Sequence, residues 1–174
     1  MTLIETERSE DQAGIRAVHL AAFPTPLEAD LVDRLRDNGR AMVSLVAREG
    51  DKIAGHVLFS PVTVHDVAGG NDAAISHGLG LAPVAVLPVF QRRGVGAALV
   101  EAGLAGCRES ATPFVVVLGK PAYYARFGFE PASRYRLDSE YNAGDAFQVL
   151  LLQADALPAQ GGLVRYGDEF AGLG

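Results

Sequence analysis

Seven consecutive residues, Gln91-Arg92-Arg93-Gly94-Val95-Gly96-Ala97, combine types and spacing that suit one kind of chemistry: holding an anion. They follow an apolar run ending in Val84-Ala85-Val86-Leu87-Pro88 and open an amphipathic run at Val95. A strand that passes through a glycine turn into a helix makes an anion site from main chain. The first-turn N–H groups of a helix lack internal partners, and the helix dipole puts positive potential there. Glycine lets the backbone approach a ligand and take angles that other residues resist. The ligand predicted is a phosphate-bearing cofactor.

Two common nucleotide motifs do not fit. A Walker A loop needs Lys-Ser/Thr after its last glycine, and Ala97-Ala98 stand there. A dinucleotide fingerprint needs a third glycine or alanine where Leu99 is found, then an acid after the next strand, where Phe114–Leu118 runs into Gly119. No Gly-x-Ser-x-Gly elbow is present, so a Ser-His-acid hydrolase has no anchor. Cys107 is the single cysteine, which excludes an internal disulfide and a cysteine-rich zinc site. It reads as a small buried side chain, and no metal is expected.

The elements that must position the loop follow from periodicity and punctuation. Leu3–Thr6 reads as a strand, and Ser9 as the N-cap of a helix that Pro24 stops. Pro26 opens a second helix with Leu27, Leu31 and Leu35 on one face, ended by Asn38-Gly39. Met42–Arg48 and Ile53–Val67 read as strands joined by Glu49-Gly50-Asp51-Lys52, the second interrupted at Pro61. Gly69-Gly70-Asn71-Asp72 is a loop, Ala74-Ile75 an edge extension, and Leu79–Val86 the strand before the glycine turn. A helix over Val95–Arg108, a buried strand over Phe114–Leu118, a short helix over Ala122–Phe127 and a late strand over Phe147–Leu152 complete the order. The hairpin is antiparallel, and the strand–helix–strand unit implies a parallel pair. The predicted architecture is α/β, a mixed sheet flanked by helices. With 174 residues and no linker, one domain spanning 1–174 is expected, with 155–174 a less regular extension. Leu163–Tyr166 and Phe170 in that tail read as packing or homodimer contacts.

Fifteen basic residues against 21 acidic ones give a net charge of −6. Such a chain is no general nucleic-acid binder, because phosphate backbones need clustered positive charge. No segment is apolar enough for a membrane span, and Met1–Glu5 has no signal-peptide character, so a soluble cytoplasmic protein is expected.

The pattern Gln-x-x-Gly-x-Gly-Ala after an apolar strand resembles the signature of the GNAT superfamily of N-acetyltransferases. Tyr123-Tyr124-Ala125-Arg126-Phe127-Gly128-Phe129 is similar to that superfamily's late aromatic element. Gly119–Tyr124, Gly55–Val62 and Glu28–Arg36 are similar to one bacterial subgroup of predicted N-acetyltransferases. The resemblance covers most of residues 1–135. It implies a mostly antiparallel sheet with splayed central strands, and acetyl-CoA as acyl donor. It also implies that N–H groups from Gln91 to Ala97 wrap a pyrophosphate. Arg92 or Arg93 would add charge to the pyrophosphate or the ribose phosphate, and the main chain of Val84-Ala85-Val86 would pair with the pantetheine arm. Pro83, which lacks an N–H inside a strand, is a sequence correlate of the open seam. An N–H near Val86 would stabilise the oxyanion. By the same resemblance Tyr124 occupies the general-acid position, and Tyr123 reads as packing. A base must take the proton of the attacking amine; Glu28, His56 and His77 are candidates, with Glu28 favoured because the second helix lines the acceptor cleft in this superfamily. The implied activity is acetyl transfer to a primary amine of a small molecule or protein. The alternative is a domain that binds acetyl-CoA without catalysis, as a sensor or assembly module.

Overall fold

Glu49 and Lys52 face each other across a tight turn in which Gly50 takes φ 62°, the left-handed angle that glycine adopts without steric cost. The turn joins β2 (Val43–Glu49) to β3 (Lys52–His65), and β1 (Thr2–Thr6) lies along β2; both ladders are antiparallel. A computed structural model describes residues 1–70 and 72–173. Asn71, read above as part of a loop, lies outside the described residues. The chain divides into two compact units, Met1–Ser60 with Ala82–Cys107 and Glu169–Leu173, and Pro61–Leu81 with Arg108–Asp168.

The first unit holds β1, β2, the start of β3, helices α1 (Gln12–Ala22) and α2 (Leu27–Asp37), the end of β4 (Ala74–Val86), and most of α3 (Val95–Glu109). Alternation along β3 sends successive side chains to opposite faces. Phe59 meets α3, where its ring lies 2.2 Å from the place a Cβ at Gly103 would occupy. His56, on the other face, meets His19 of α1. Ile15, Val18, Leu31, Leu35, Phe59 and Leu99 form the buried apolar core of this unit.

In the second unit β4 pairs in parallel with β5 (Phe114–Leu118) over Leu79↔Val115 to Leu81↔Val117. β5 is antiparallel to β8 (Phe147–Leu151), which is antiparallel to β6 (Glu130–Pro131). The end of β3 pairs with β9 (Gly162–Tyr166), itself parallel to β7 (Leu137–Ser139). Helix α4 (Pro121–Tyr124) continues as a 3-10 turn to Phe127 and stops at Gly128, φ 96°. Five of the seven described registers are antiparallel, which makes the fold the mixed, mostly antiparallel α/β class expected.

Several element readings change. Ser9 does not cap the first helix: Ser9–Asp11 form a 3-10 turn, and the N–H of Arg8 donates to Asp11 Oδ2 at 2.8 Å. The carboxylate, which also accepts from Arg48 at 2.7 Å, outcompetes the hydroxyl. Pro61 does not interrupt β3. Pairing with β2 ends at Phe59 and pairing with β9 begins at Val62, so the missing N–H falls between two ladders. Ala74–Val86 is one strand, with Gly78 leaving room for the Phe114 ring. Leu27 is largely exposed while Leu31 and Leu35 are buried. The tail contributes β9, and Val164, Tyr166 and Phe170 are all buried.

Candidate functional site

The main chain leaves β4 at Val86 and is at once fixed to β3, where the Leu87 N–H donates to the Ala54 carbonyl at 2.8 Å. A 3-10 turn over Pro88–Phe90 follows. The Gln91 side chain reaches back to donate to the Val86 carbonyl at 2.9 Å. Arg92 then takes φ 63° and Gly94 φ 80°, so two left-handed residues flank Arg93. A non-glycine residue held at such an angle is strained, and strain of this kind collects where a ligand is gripped. Such backbone alternation turns successive N–H groups into one concavity. Val95 and Leu99, both buried, anchor the start of α3.

The first bond into the helix is Ala98 N–H to Gly94 C=O at 3.0 Å. Among the described residues no hydrogen bond is donated by the N–H of Arg92, Arg93, Gly94, Val95, Gly96 or Ala97. Six donors at a helix start thus await an acceptor. Gln91 differs from the expectation, because its N–H already donates to the Pro88 carbonyl at 3.3 Å. Arg93 lies over the Phe90 ring at 5.7 Å. The Arg92 angle, which no residue type announces, is the feature of this loop that sequence reasoning missed.

Val84, Ala85 and Val86 are the last residues of β4. Ala85 is buried, and Val84 and Val86 are half-buried on the alternate side. The ladder with β5 has stopped at Leu81, before the cis Ala82–Pro83 bond.

Glu28 is the second residue of α2 and half-buried. Its acidic neighbours are neutralised: Arg16 binds Asp30 at 2.9 Å and Asp33 at 2.7 Å, and Arg36 binds Asp33 and Glu7. Glu28 is not, and its Oε1 is shielded from water with no hydrogen-bond partner among the described residues. A carboxylate oxygen in that state is a ready acceptor for a proton or a cationic group.

His56 is fully buried and engaged at both nitrogens, with Nδ1 2.9 Å from His19 Nε2 and Nε2 2.8 Å from Ser44 Oγ. Burial holds the His56 imidazole well below its usual range and brings His19 down to about 4. His56 is therefore a satisfied core residue. His77 is exposed on β4. The sequence signal for the pair was His19 itself, which falls on the buried stripe of α1 with Ile15 and Val18.

In the second unit Tyr124 ends α4, and its side chain is buried. Burial pushes the phenol up to about 12. Tyr123 and Phe129 meet its ring edge-on, at 5.0 and 5.8 Å between centroids. Tyr123 packs as expected and also carries Arg126 over its outer face at 4.4 Å. Cys107 is buried. Among the described residues no group of three or more His, Cys, Asp or Glu is placed to hold a metal ion, and no helix is long and apolar enough to cross a membrane.

Residues 4–132 match the family described as Acetyltransferase (GNAT) domain. The chain is 38% identical over 170 residues to the uncharacterized N-acetyltransferase YhbS of Escherichia coli strain K12, covering 97% of this chain and 98% of that protein. Its fold is similar to the crystal structure of YhbS from Escherichia coli in complex with CoA, with TM-score 0.88 and 37% identity over 99% of this chain and 93% of that one. A Brucella melitensis GNAT family acetyltransferase in complex with acetyl-CoA superimposes with TM-score 0.78 at 34% identity, over 98% of both chains. A glycine turn that opens α3, a buried late tyrosine, a family match over residues 4–132 and near full-length likeness to acetyltransferases converge, and this chain belongs to the GNAT family of acetyltransferases.

Proposed function

We propose that residues 1–174 act as one catalytic domain that moves an acetyl group from acetyl-CoA to a primary amine of a small molecule or protein. The observation that carries this reading is the run of six unpaired N–H groups from Arg92 to Ala97 at the start of α3. Those donors fit a diphosphate, with Arg92 and Arg93 adding charge. The free edge at Val84-Ala85-Val86 suits the amide-bearing arm of the same molecule, added as a short strand. Acetyl-CoA supplies a thioester whose acyl carbon an amine can attack.

The protein's own residues supply the rest. Glu28 accepts a proton from the incoming ammonium, which at neutral pH is mostly protonated with a pKa of about 10.4. A main-chain N–H near Val86 donates to the oxygen that gains charge. As the C–S bond breaks, Tyr124, kept protonated by burial, donates its phenolic proton to the departing sulfur, and the proton that the acylated nitrogen sheds passes to solvent, from which the phenolate regains one. Glu28 Oε1, buried with no hydrogen-bond partner among the described residues, favours a cationic acceptor.

The test is CoA release from acetyl-CoA in the presence of putrescine, a lysine-bearing peptide and an uncharged aromatic amine. Amine-dependent release that favours the cationic acceptors, and that falls about a hundredfold in Glu28→Gln, is expected. Normal cofactor binding with no release for any amine would make the chain a binding module instead.

A further inference from the structure

Gly119, the residue after β5, is glycine for a reason outside its own backbone. Its φ is not in the left-handed region, so any L-residue fits the main chain. A Cβ there would lie 2.3 Å from Cε2 of Tyr124 and 2.9 Å from its Cδ2. The ring therefore stands in the space that a side chain at 119 would fill. It has nowhere else to go, because Tyr123, Phe127 and Phe129 close around it with centroids 5.0, 6.1 and 5.8 Å away.

Gly119 is itself immobilised. Its N–H donates to the Ala146 carbonyl at 3.0 Å. Its carbonyl accepts from Gln148 Nε2 at 3.1 Å, and the same amide reaches Ala146 O at 3.3 Å. Gln148 is 1% exposed within the apolar strand β8. A buried amide is costly unless its bonds are made, so this contact specifies one place for the turn after β5.

We propose that Gly119 and Gln148 are positioning residues for catalysis: the missing side chain at 119, locked in place by the amide at 148, sets where the Tyr124 phenol stands. This rests on the reading of Tyr124 as general acid. Proton transfer tolerates little misplacement, so a displaced phenol slows turnover while binding of the cofactor survives.

The experiment uses the full chain with tyrosine isotope-labelled at Cζ, the Tyr124 resonance being identified by its loss in Tyr124→Phe. Gly119→Ala is expected to shift that resonance, to lower kcat with putrescine about tenfold, and to leave KM for acetyl-CoA within about twofold. In a Tyr124→Phe background Gly119→Ala is expected to cost nothing further, since its effect runs through the phenol. An unmoved resonance, or an equal loss of kcat in both backgrounds, overturns the proposal. Tyr124→Phe with undiminished kcat would instead reject the acid role, and the resonance in Gly119→Ala would still decide the cradle. Should Gly119→Ala fail to fold, Gln148→Met, which keeps the volume and removes the amide donor, is judged by the same two readouts.

Discussion

Glu28 and Tyr124 illustrate how a residue's surroundings decide what its chemistry is for. Glu28 is one of several acids on α2, and only its neighbours distinguish it. Asp30 and Asp33 are paired with Arg16 and Arg36, while one Glu28 oxygen has no hydrogen-bond partner among the described residues. Tyr124 is a phenol whose ionised form burial disfavours, which keeps it protonated at any physiological pH, as the proposed acid role requires. Two outcomes follow from that. Tyr124→Phe should lower kcat about a hundredfold with unchanged acetyl-CoA affinity, measured by steady-state kinetics beside calorimetry. Because the phenol is pushed up to about 12, the acid form persists well above pH 10, so kcat should show no alkaline fall up to that pH. A loss of kcat centred near pH 9 would place the proton elsewhere. The family resemblance singled out Tyr124 and Glu28 as candidates, and residue types alone pointed only to the glycine turn. They did not reveal the left-handed Arg92 or the Tyr124 ring that stands where a Cβ of Gly119 would be, because a φ angle and a tertiary contact leave no mark in one sequence.

Elements were legible where their punctuation is local. The turn at Glu49–Lys52, the start of α3 at Val95 and the stop at Gly128 all lie where glycine placed them. The misreadings share a non-local cause. Pro61 is harmless because two different partner strands happen to meet on either side of it, and β9 forms because β3 offers it an edge a hundred residues away in sequence. The histidine pair is likewise a tertiary fact, joining α1 to the β2–β3 hairpin through His19, His56 and Ser44. Its consequence is a pH dependence with a definite sign. In the unfolded chain both imidazoles take protons as pH falls through about 6.5, whereas the folded state keeps His19 neutral to about 4 and burial holds His56 well below its usual range. Folding stability is therefore complete above 6.5 and drains away as pH falls towards 4, by roughly 3 kcal/mol for His19 alone. Urea denaturation at pH 7, 6 and 5 should show the decline, and His19→Gln should make it shallower. An unchanged slope in that variant would contradict the assignment.

At the scale of the molecule, the tail carries more structure than its Gly- and Pro-rich composition suggests. Glu169 belongs to the first unit, where its carbonyl accepts from Arg34 at 2.7 Å and its carboxylate receives Asn38 at 2.8 Å and Arg40 at 3.3 Å. Glu169→Ala keeps the main-chain carbonyl that Arg34 uses but strands Asn38 and Arg40, and a loss of about 2 kcal/mol, read as a drop of roughly 5 °C in Tm by calorimetric scanning, is expected. An unaltered Tm would mean that the segment contributes little. The proposed function rests on the start of α3, where, among the described residues, the N–H groups from Arg92 to Ala97 donate no hydrogen bond. Isothermal titration of the full chain with CoA tests that directly. One site per chain with micromolar or tighter affinity, lost by tenfold or more in Gly94→Val, whose φ of 80° a β-branched residue resists, is the predicted result. No heat of binding in the parent protein, or full affinity in Gly94→Val, would contradict it.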